Sequence, residues 1–513
     1  MNKLKSIKLF AVIICALLLS LSLTAQGFEP DEPRQIVLTW QDDPSTTMTI
    51  TWRTDVEGDD SFLLLSSTRS PADGNYELVE AETYTFDETA AWLHTVELKD
   101  LTPGTTYWVT LQTDGKRSDE FCFRTAPDTP DDITFVIGAD AQHVRTQMHI
   151  IMEVFRRIAE DDPDFFVYSG DFVNAELSDY EWDLIFDAFH TTLITDQSRR
   201  IPIVPAIGNH EVVAGYGGTK DLAVFYYNRF RIPEPQTYHV LRYGPDLTII
   251  SLDSNHTSPI DGEQALWLER TLEENQDSRW TVAHYHDGSW WGTERMNVKI
   301  RANWVPLFEK YGVDLAHSGH SHTYFTSFPI YGLGNFSNKL ELIIEESLER
   351  AKEDFEPGKN YAPPLQKNLI QLTRGNWEAL GYDTLLDAFA DMTYMLSLYV
   401  IQTGEPSRER VYDQIGTTQL FMDYWTPILR ADSLDELIDF EKGVVYAVGG
   451  GLGAELGSAR DPDRYWWIKE ARAAHHYRRV TITSSGDEFM IIPVFYNVDD
   501  GSWEEGEAFI KSY

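Results

Sequence analysis

Five apolar runs in the middle of this chain each stop at a residue able to hold a cation. Ile133 to Ala139 ends at Asp140, and Phe165 to Gly170 ends at Asp171. Ile203 to Gly208 ends at Asn209-His210-Glu211, Trp280 to Tyr285 at His286-Asp287, and Val313 to Gly319 at His320-Ser321-His322. The runs have strand length. Between several of them lie segments with apolar residues at helical spacing, such as Met148, Ile151, Met152, Phe155 and Ile158 within Val144 to Glu160, and the stretch Glu263 to Glu274. Alternating strands and helices predict a layered α/β core. In open α/β sheets ligands sit beyond the carboxyl ends of the strands, so this order delivers Asp, Asp, Asn, His and a His pair to one edge. Glycines precede several of these residues and let backbone approach closely at a sharp turn.

Carboxylate, amide oxygen and imidazole together suit Zn, Mn or Fe. A carboxylate can bridge two ions, and a water held between ions roughly 3.5–4 Å apart becomes a strong nucleophile for in-line attack on phosphorus. The formal net charge of -40 agrees with this chemistry in one respect. Such a surface repels polyanions and disfavours binding to nucleic acid or anionic membrane, so positive charge for an anionic substrate must come from metal.

At 513 residues the chain exceeds one ordinary core and predicts two or more domains. Residues 1–25 read as a secretory signal peptide: three lysines in Met1 to Lys8, an apolar run from Leu9 to Leu23, and small residues at Thr24-Ala25. The mature chain would then carry no membrane anchor, would be secreted or periplasmic, and would retain only Cys122, leaving no internal disulfide. Short alternating strands separated by turn residues fill residues 35 to about 127, with Tyr107 in a strand after the turn at Thr102-Pro103-Gly104. Helical patterns without intervening strands occupy about 335–440, notably Leu340 to Ala351 and Leu385 to Ile401. Two further strands are expected near Arg479 to Thr483 and Glu488 to Tyr496. Trp290-Trp291 could line a cleft or pack, and His475-His476 could support a site or the core. The Gly449 to Gly451 run lacks the Gly-Lys-Ser/Thr sequel of a phosphate-binding loop.

Gly170-Asp171, Gly208-Asn209-His210-Glu211 and Gly319-His320-Ser321-His322, in that order and at strand ends, resemble the calcineurin-like metallophosphoesterase superfamily. The segment before them resembles the N-terminal domain of purple acid phosphatases. The resemblance covers nearly all of the mature chain except the helical insertion. It implies an α/β fold in two parts: a fibronectin type III-like β-sandwich at 33–127, then a four-layer α/β/β/α domain at 131–513 interrupted by the insertion. It implies two divalent or trivalent ions (Fe, Zn or Mn). Asp140, Asp171 and His322 would hold the first, while Asp171 bridges to a second held by Asn209, His286 and His320. His210 would orient the phosphate or protonate the leaving oxygen, and Asn209, His210 and Asn174 would face the substrate. His284 competes with His286 for one ligand place; His286 fits the family spacing better, six positions after Trp280.

Two departures stand out. The family's Asp-x-His becomes Asp140-Ala141-Gln142, so Gln142 enters the ligand set as a weaker, neutral donor. The tyrosine that colours purple phosphatases is replaced by Asn174, so no iron-tyrosinate is expected. The implied activity is that of a dinuclear-metal phosphomonoesterase of acid-phosphatase type acting on a small phosphorylated substrate through a metal-bridging hydroxide. A phosphodiesterase or nucleotidase on the same metals is the alternative, and a non-catalytic binding protein with a decayed site is a third.

Overall fold

A computed structural model describes residues 30–290, 299–362, 385–411 and 438–512, apart from short gaps at 72–73, 302, 405–406, 408–409 and 460–467. The leader, most of the middle of the insertion and Trp291 lie outside the described residues.

The N-terminal strands form two antiparallel sheets. One runs in the order Arg34–Thr39, Met48–Thr54, Trp92–Leu98, Glu82–Tyr84. The other runs Glu77–Glu80, Ser61–Ser66, Thr106–Thr113, Lys116–Arg117, with Phe121–Arg124 also paired to Thr106–Thr113. Their inward residues alternate, and Met48, Ile50, Trp52, Leu63, Val109, Leu111 and Phe123 bury between the sheets. The hydroxyl of Tyr107 accepts the backbone N–H of Thr102 at 2.9 Å, tying the strand to the turn before it.

Two mixed seven-stranded sheets follow. The first has Ile203–Ala206, Phe165–Ser169 and Ile133–Gly138 in parallel, then His475–Ile482 and Glu488–Tyr496 antiparallel beside them. In the second, Leu247–Ser251, Trp280–Tyr285, Leu315–Ser318 and Val445–Gly449 run parallel, with antiparallel strands at both edges. Side-chain alternation decides the layering. Phe135, Ile137 and Val167 point at Leu247, Ile249, Val282 and Leu315 of the other sheet. Their neighbours Val136 and Phe166 point outward, under helices Val144–Glu160 and Asp179–Thr192. On the far side, Ile250, Ala283 and Ala316 carry helices Glu263–Glu274, Val305–Tyr311 and Leu333–Asp354. The result is the four-layer α/β/β/α arrangement that the family resemblance implies.

Helix Val144–Glu160 buries Ile150, Ile151, Val154, Phe155 and Ile158, one apolar stripe. Helix Asp179–Thr192 starts at Ser178, whose Oγ accepts the Glu181 N–H, with Asp179 and Glu181 in its first turn. Between strands Tyr324–Ser327 and Val445–Gly449 the described chain forms helices Leu333–Asp354 and Leu385–Thr403, packed on each other. Trp40 of the sandwich stands edge-on to Phe165 and Tyr243 at 6.2 and 6.0 Å, so the two parts share one apolar seam. No helix among the described residues is long and apolar enough to cross a membrane.

Candidate metal centre

At the carboxyl ends of the central strands, the backbone turns sharply. Asp140, Asp171 and His320 all take positive φ, at 66°, 61° and 65°. Non-glycine residues seldom occupy this left-handed region, though Asp, Asn and His tolerate it best. Three such residues around one point are strain concentrated at a site. The glycines explain how the turns fit. A Cβ on Gly208 would lie 2.3 Å from Asp171 Oδ1, and one on Gly319 would lie 2.4 Å from Asp140 Oδ2.

These turns bring Asp140, Gln142, Asp171, Asn209, His210, His286, His320 and His322 around one pocket. The donor atoms of Asp171, His286 and His320 all lie within 4.8 Å of one another. His286 donates its Nδ1 proton to the Ser169 carbonyl at 2.9 Å, which leaves a lone pair on Nε2. That Nε2 faces Asn209 Oδ1 and Asp171 Oδ2, each at 3.1 Å. Asn209 Oδ1 is also 2.9 Å from His320 Nδ1. A neutral ring here would set lone pair against lone pair; a cation among these atoms turns that repulsion into ligation.

The neighbouring position is built from the other ligands. His322 gives its Nδ1 proton to the Glu455 carbonyl at 2.8 Å, and its Nε2 lies 3.5 Å from Asp140 Oδ1. Gln142 Nε2 is 2.8 Å from His322 Nε2 and 3.3 Å from Asp171 Oδ2, while its Oε1 is buried without a partner. Turning the amide over presents the carbonyl oxygen to the point where those lone pairs converge. The residues therefore fit two cations, with Asp171 between them. Burial, and then the Asp171 charge, push the Asp140 carboxyl well above its usual range. Asp171 is buried as well, yet His286, His210 and His320 outweigh that and hold it ionised. Two buried carboxylates side by side call for positive charge.

His210 sits at the rim, its side chain one-third exposed. It donates Nδ1–H to the Asn174 carbonyl at 3.0 Å and turns Nε2 toward Asp171 Oδ2 at 4.0 Å. Burial lowers its affinity for a proton, but Asp171, the Asn174 carbonyl and Glu211 more than compensate and raise it. Asn174 itself is exposed and acts here through its backbone. His284 lies outside the cluster: its Nε2 is 2.6 Å from Ser251 Oγ and its Nδ1 3.4 Å from Ser169 Oγ, between the two sheets. Trp290 packs against Tyr446 with Arg301 over its ring. His476 packs against Tyr324 and Phe495.

Sequence reading assigned no role to Glu211, although it stands in the motif. Its buried carboxylate accepts the N–H groups of Asp171 (2.8 Å), Phe172 (2.7 Å), Gly208 (2.9 Å) and Val173 (3.4 Å), clamping one ligand turn to the next. Nor did sequence reading single out His256 or Asp287, a fully buried pair 3.2 Å apart beside His286. The only signal was that Asp287 directly follows a ligand.

Comparison with known proteins places both parts of the chain. Residues 33–125 match the purple acid phosphatase N-terminal domain, and residues 134–324 match the calcineurin-like phosphoesterase family. The chain thus carries a purple acid phosphatase-type N-terminal domain followed by a calcineurin-like phosphoesterase domain, and the purple acid phosphatase-like family uses a dinuclear metal centre. An uncharacterized protein of Mycobacterium tuberculosis is 28% identical over 332 residues, 56% of this chain and 61% of that one. Purple acid phosphatase 21 of Arabidopsis thaliana is 27% identical over 265 residues, 49% of this chain and 57% of that one. The match thus spans about three fifths of the length of these curated relatives. Among solved structures, the purple acid phosphatase PPD1 of yellow lupin (Lupinus luteus) seeds superposes with a TM-score of 0.60 at 17% identity, over 94% of this chain and 75% of that one. PhoD superposes with a TM-score of 0.58 at 11% identity, over 95% and 92%. At these identities the two structures speak for the fold alone.

Proposed function

We propose that this protein is a metal-dependent phosphoesterase that hydrolyses small phosphate monoesters outside the cytoplasm. The observation that carries the reading is the convergence of lone-pair donors from Asp171, Asn209, His286 and His320 on one side of Asp171, and from Asp140, Gln142 and His322 on the other. When bound there, a metal pair supplies an activated water and neutralises the phosphate. The chain's residues do the rest. Asp171 Oδ1 accepts the His210 N–H at 3.0 Å and fixes the loop that carries Asn209 and His210. His210, whose Nδ1–H is held by the Asn174 carbonyl, has Nε2 turned toward the centre and placed to give a proton to the leaving oxygen. Glu211 holds the two loops in register, so that this proton and the phosphate meet.

The test is release of phosphate from an aryl phosphate by protein loaded with Mn, Zn or Fe, against a panel of diesters. Asp171→Asn should abolish turnover, and His210→Ala should slow poor leaving groups more than good ones. Unchanged turnover in Asp171→Asn overturns the proposal, and faster hydrolysis of diesters overturns the monoester part. Cell fractionation tests the export that residues 1–25 suggest.

A further inference from the structure

Beside the ligand histidines lies a second buried cluster that the reading above leaves unused. Asp287 is fully buried. The Tyr216 hydroxyl donates to its Oδ1 at 3.0 Å, its backbone N–H goes to Ser254 Oγ at 3.0 Å, and its Oδ2 lies 3.2 Å from His256 Nε2. His256 is equally buried. It donates Nδ1–H to the Gly215 carbonyl at 2.9 Å, and its own N–H goes to Asp253 Oδ1 at 2.6 Å. Its ring stands steeply inclined to that of His286, with centroids 5.6 Å apart.

The cluster joins three loops. One follows Asn209-His210-Glu211, and its Gly217 and Gly218 donate to the carbonyls of Asn255 and His256 at 2.7 and 2.8 Å. The second is 253–257, and the third begins with His286. A carboxylate and an imidazole at this depth are costly unless they are paired. Asp287 Oδ1 is engaged by Tyr216, its Oδ2 faces His256 Nε2 without a hydrogen-bond partner of its own, and it stands outside the group whose donor atoms converge. Its place is behind the ligands, where carboxylates orient metal-bound imidazoles.

We propose that Asp287, braced by His256 and Tyr216, is a positioning residue that fixes His286 for one of the two cations and raises the affinity of that position alone. The inference rests on the metal centre proposed above. Tyr216 adds a consequence, since its phenol ties the loop after His210 to the same carboxylate.

The experiment uses the full chain stripped of metal and titrated with cobalt(II). The visible absorption bands report ligand geometry, and a competing chelator fixes the affinities. Asp287→Asn is expected to weaken one binding event by about 10–100-fold and change its bands, leaving the other event intact. His256→Asn should act in the same direction, and the double variant should lose little more than the stronger single one. Tyr216→Phe, which removes one hydrogen bond, provides a milder member of the series should Asp287→Asn fail to fold; it should weaken the same event. Two tight, spectrally unchanged binding events in a folded Asp287→Asn or Tyr216→Phe overturn the inference. So does an equal weakening of both events that follows a fall in the unfolding midpoint of the metal-free protein. A wild type that binds two cobalt ions and releases no phosphate defeats the proposed activity while leaving the positioning role in place. A wild type that binds no cobalt overturns both.

Discussion

Replacing Glu211 with Gln isolates the clamp between the two ligand turns without changing side-chain shape. In the wild type, each carboxylate oxygen serves two backbone N–H groups. Oε2 takes Asp171 at 2.8 Å and Gly208 at 2.9 Å; Oε1 takes Phe172 at 2.7 Å and Val173 at 3.4 Å. Glutamine keeps one acceptor oxygen and presents an NH2 group where the other stood. Whichever way it turns, two buried N–H groups lose their acceptor. Each such loss costs about 1–3 kcal/mol, and the Val173 contact is long, so the total should be about 2–5 kcal/mol. Urea unfolding of the metal-free protein should show this as a lower midpoint in the transition of the two-sheet domain. Amide exchange should accelerate at Phe172 or Gly208 ahead of the rest of the sheet. A destabilisation below about 1 kcal/mol, with exchange unchanged at these amides, refutes the reasoning.

His239 is buried, and neither ring nitrogen has a partner among the described residues; burial pushes its pKa down to about 3. The unfolded chain binds the proton from about pH 6.5 downward, so stability falls as pH drops from about 6.5 towards 3. The loss at pH 5 should be about 2 kcal/mol. His239→Leu should remove that share of the acid sensitivity between pH 7 and 5, and an identical pH dependence in the two proteins counts against it. Gln142→His should tighten zinc binding at the position shared with His322 by about tenfold, close to 1.4 kcal/mol; dialysis against a chelator measures it, and an unchanged affinity removes Gln142 from the ligand set. Buried Arg478 donates from NH2 to the carbonyls of Phe325 (2.5 Å) and Val448 (2.9 Å). Arg478→Met should therefore cost roughly 3–6 kcal/mol by removing both charge-assisted hydrogen bonds, and a stability within about 1 kcal/mol of wild type contradicts this.

The positions that converge in the structure could be read from the sequence because strand ends are local signals: an apolar run, often a glycine, then a polar residue. Asp140, Asp171, Asn209, His286, His320 and His322 announce themselves that way. Other features depend on what meets in space. Strand His475–Ile482 pairs with Ile133–Gly138 in the first sheet, a partnership across more than 300 residues that no spacing reveals. Glu211 stood inside a motif, but its partners are backbone N–H groups on another turn. His256 and Asp287 gain meaning only where three loops close together. His284 lies two residues before His286 and faces the same side, so alternation cannot separate them; what does is the strand's end at Tyr285, which leaves His284 in register with Ser251 and His317 and His286 beyond it.

The left-handed corners at Asp140, Asp171 and His320 narrow the vocabulary of this pocket. Few side chains can both bind a cation and accept such a backbone at modest cost, and Asp, Asn and His are among them. A redesign that installs glutamate or cysteine at these corners must re-lay the turn as well as the ligand. The choice of metal can therefore drift through Gln142, which lies off the corners, while the corner residues themselves stay bound to a short alphabet.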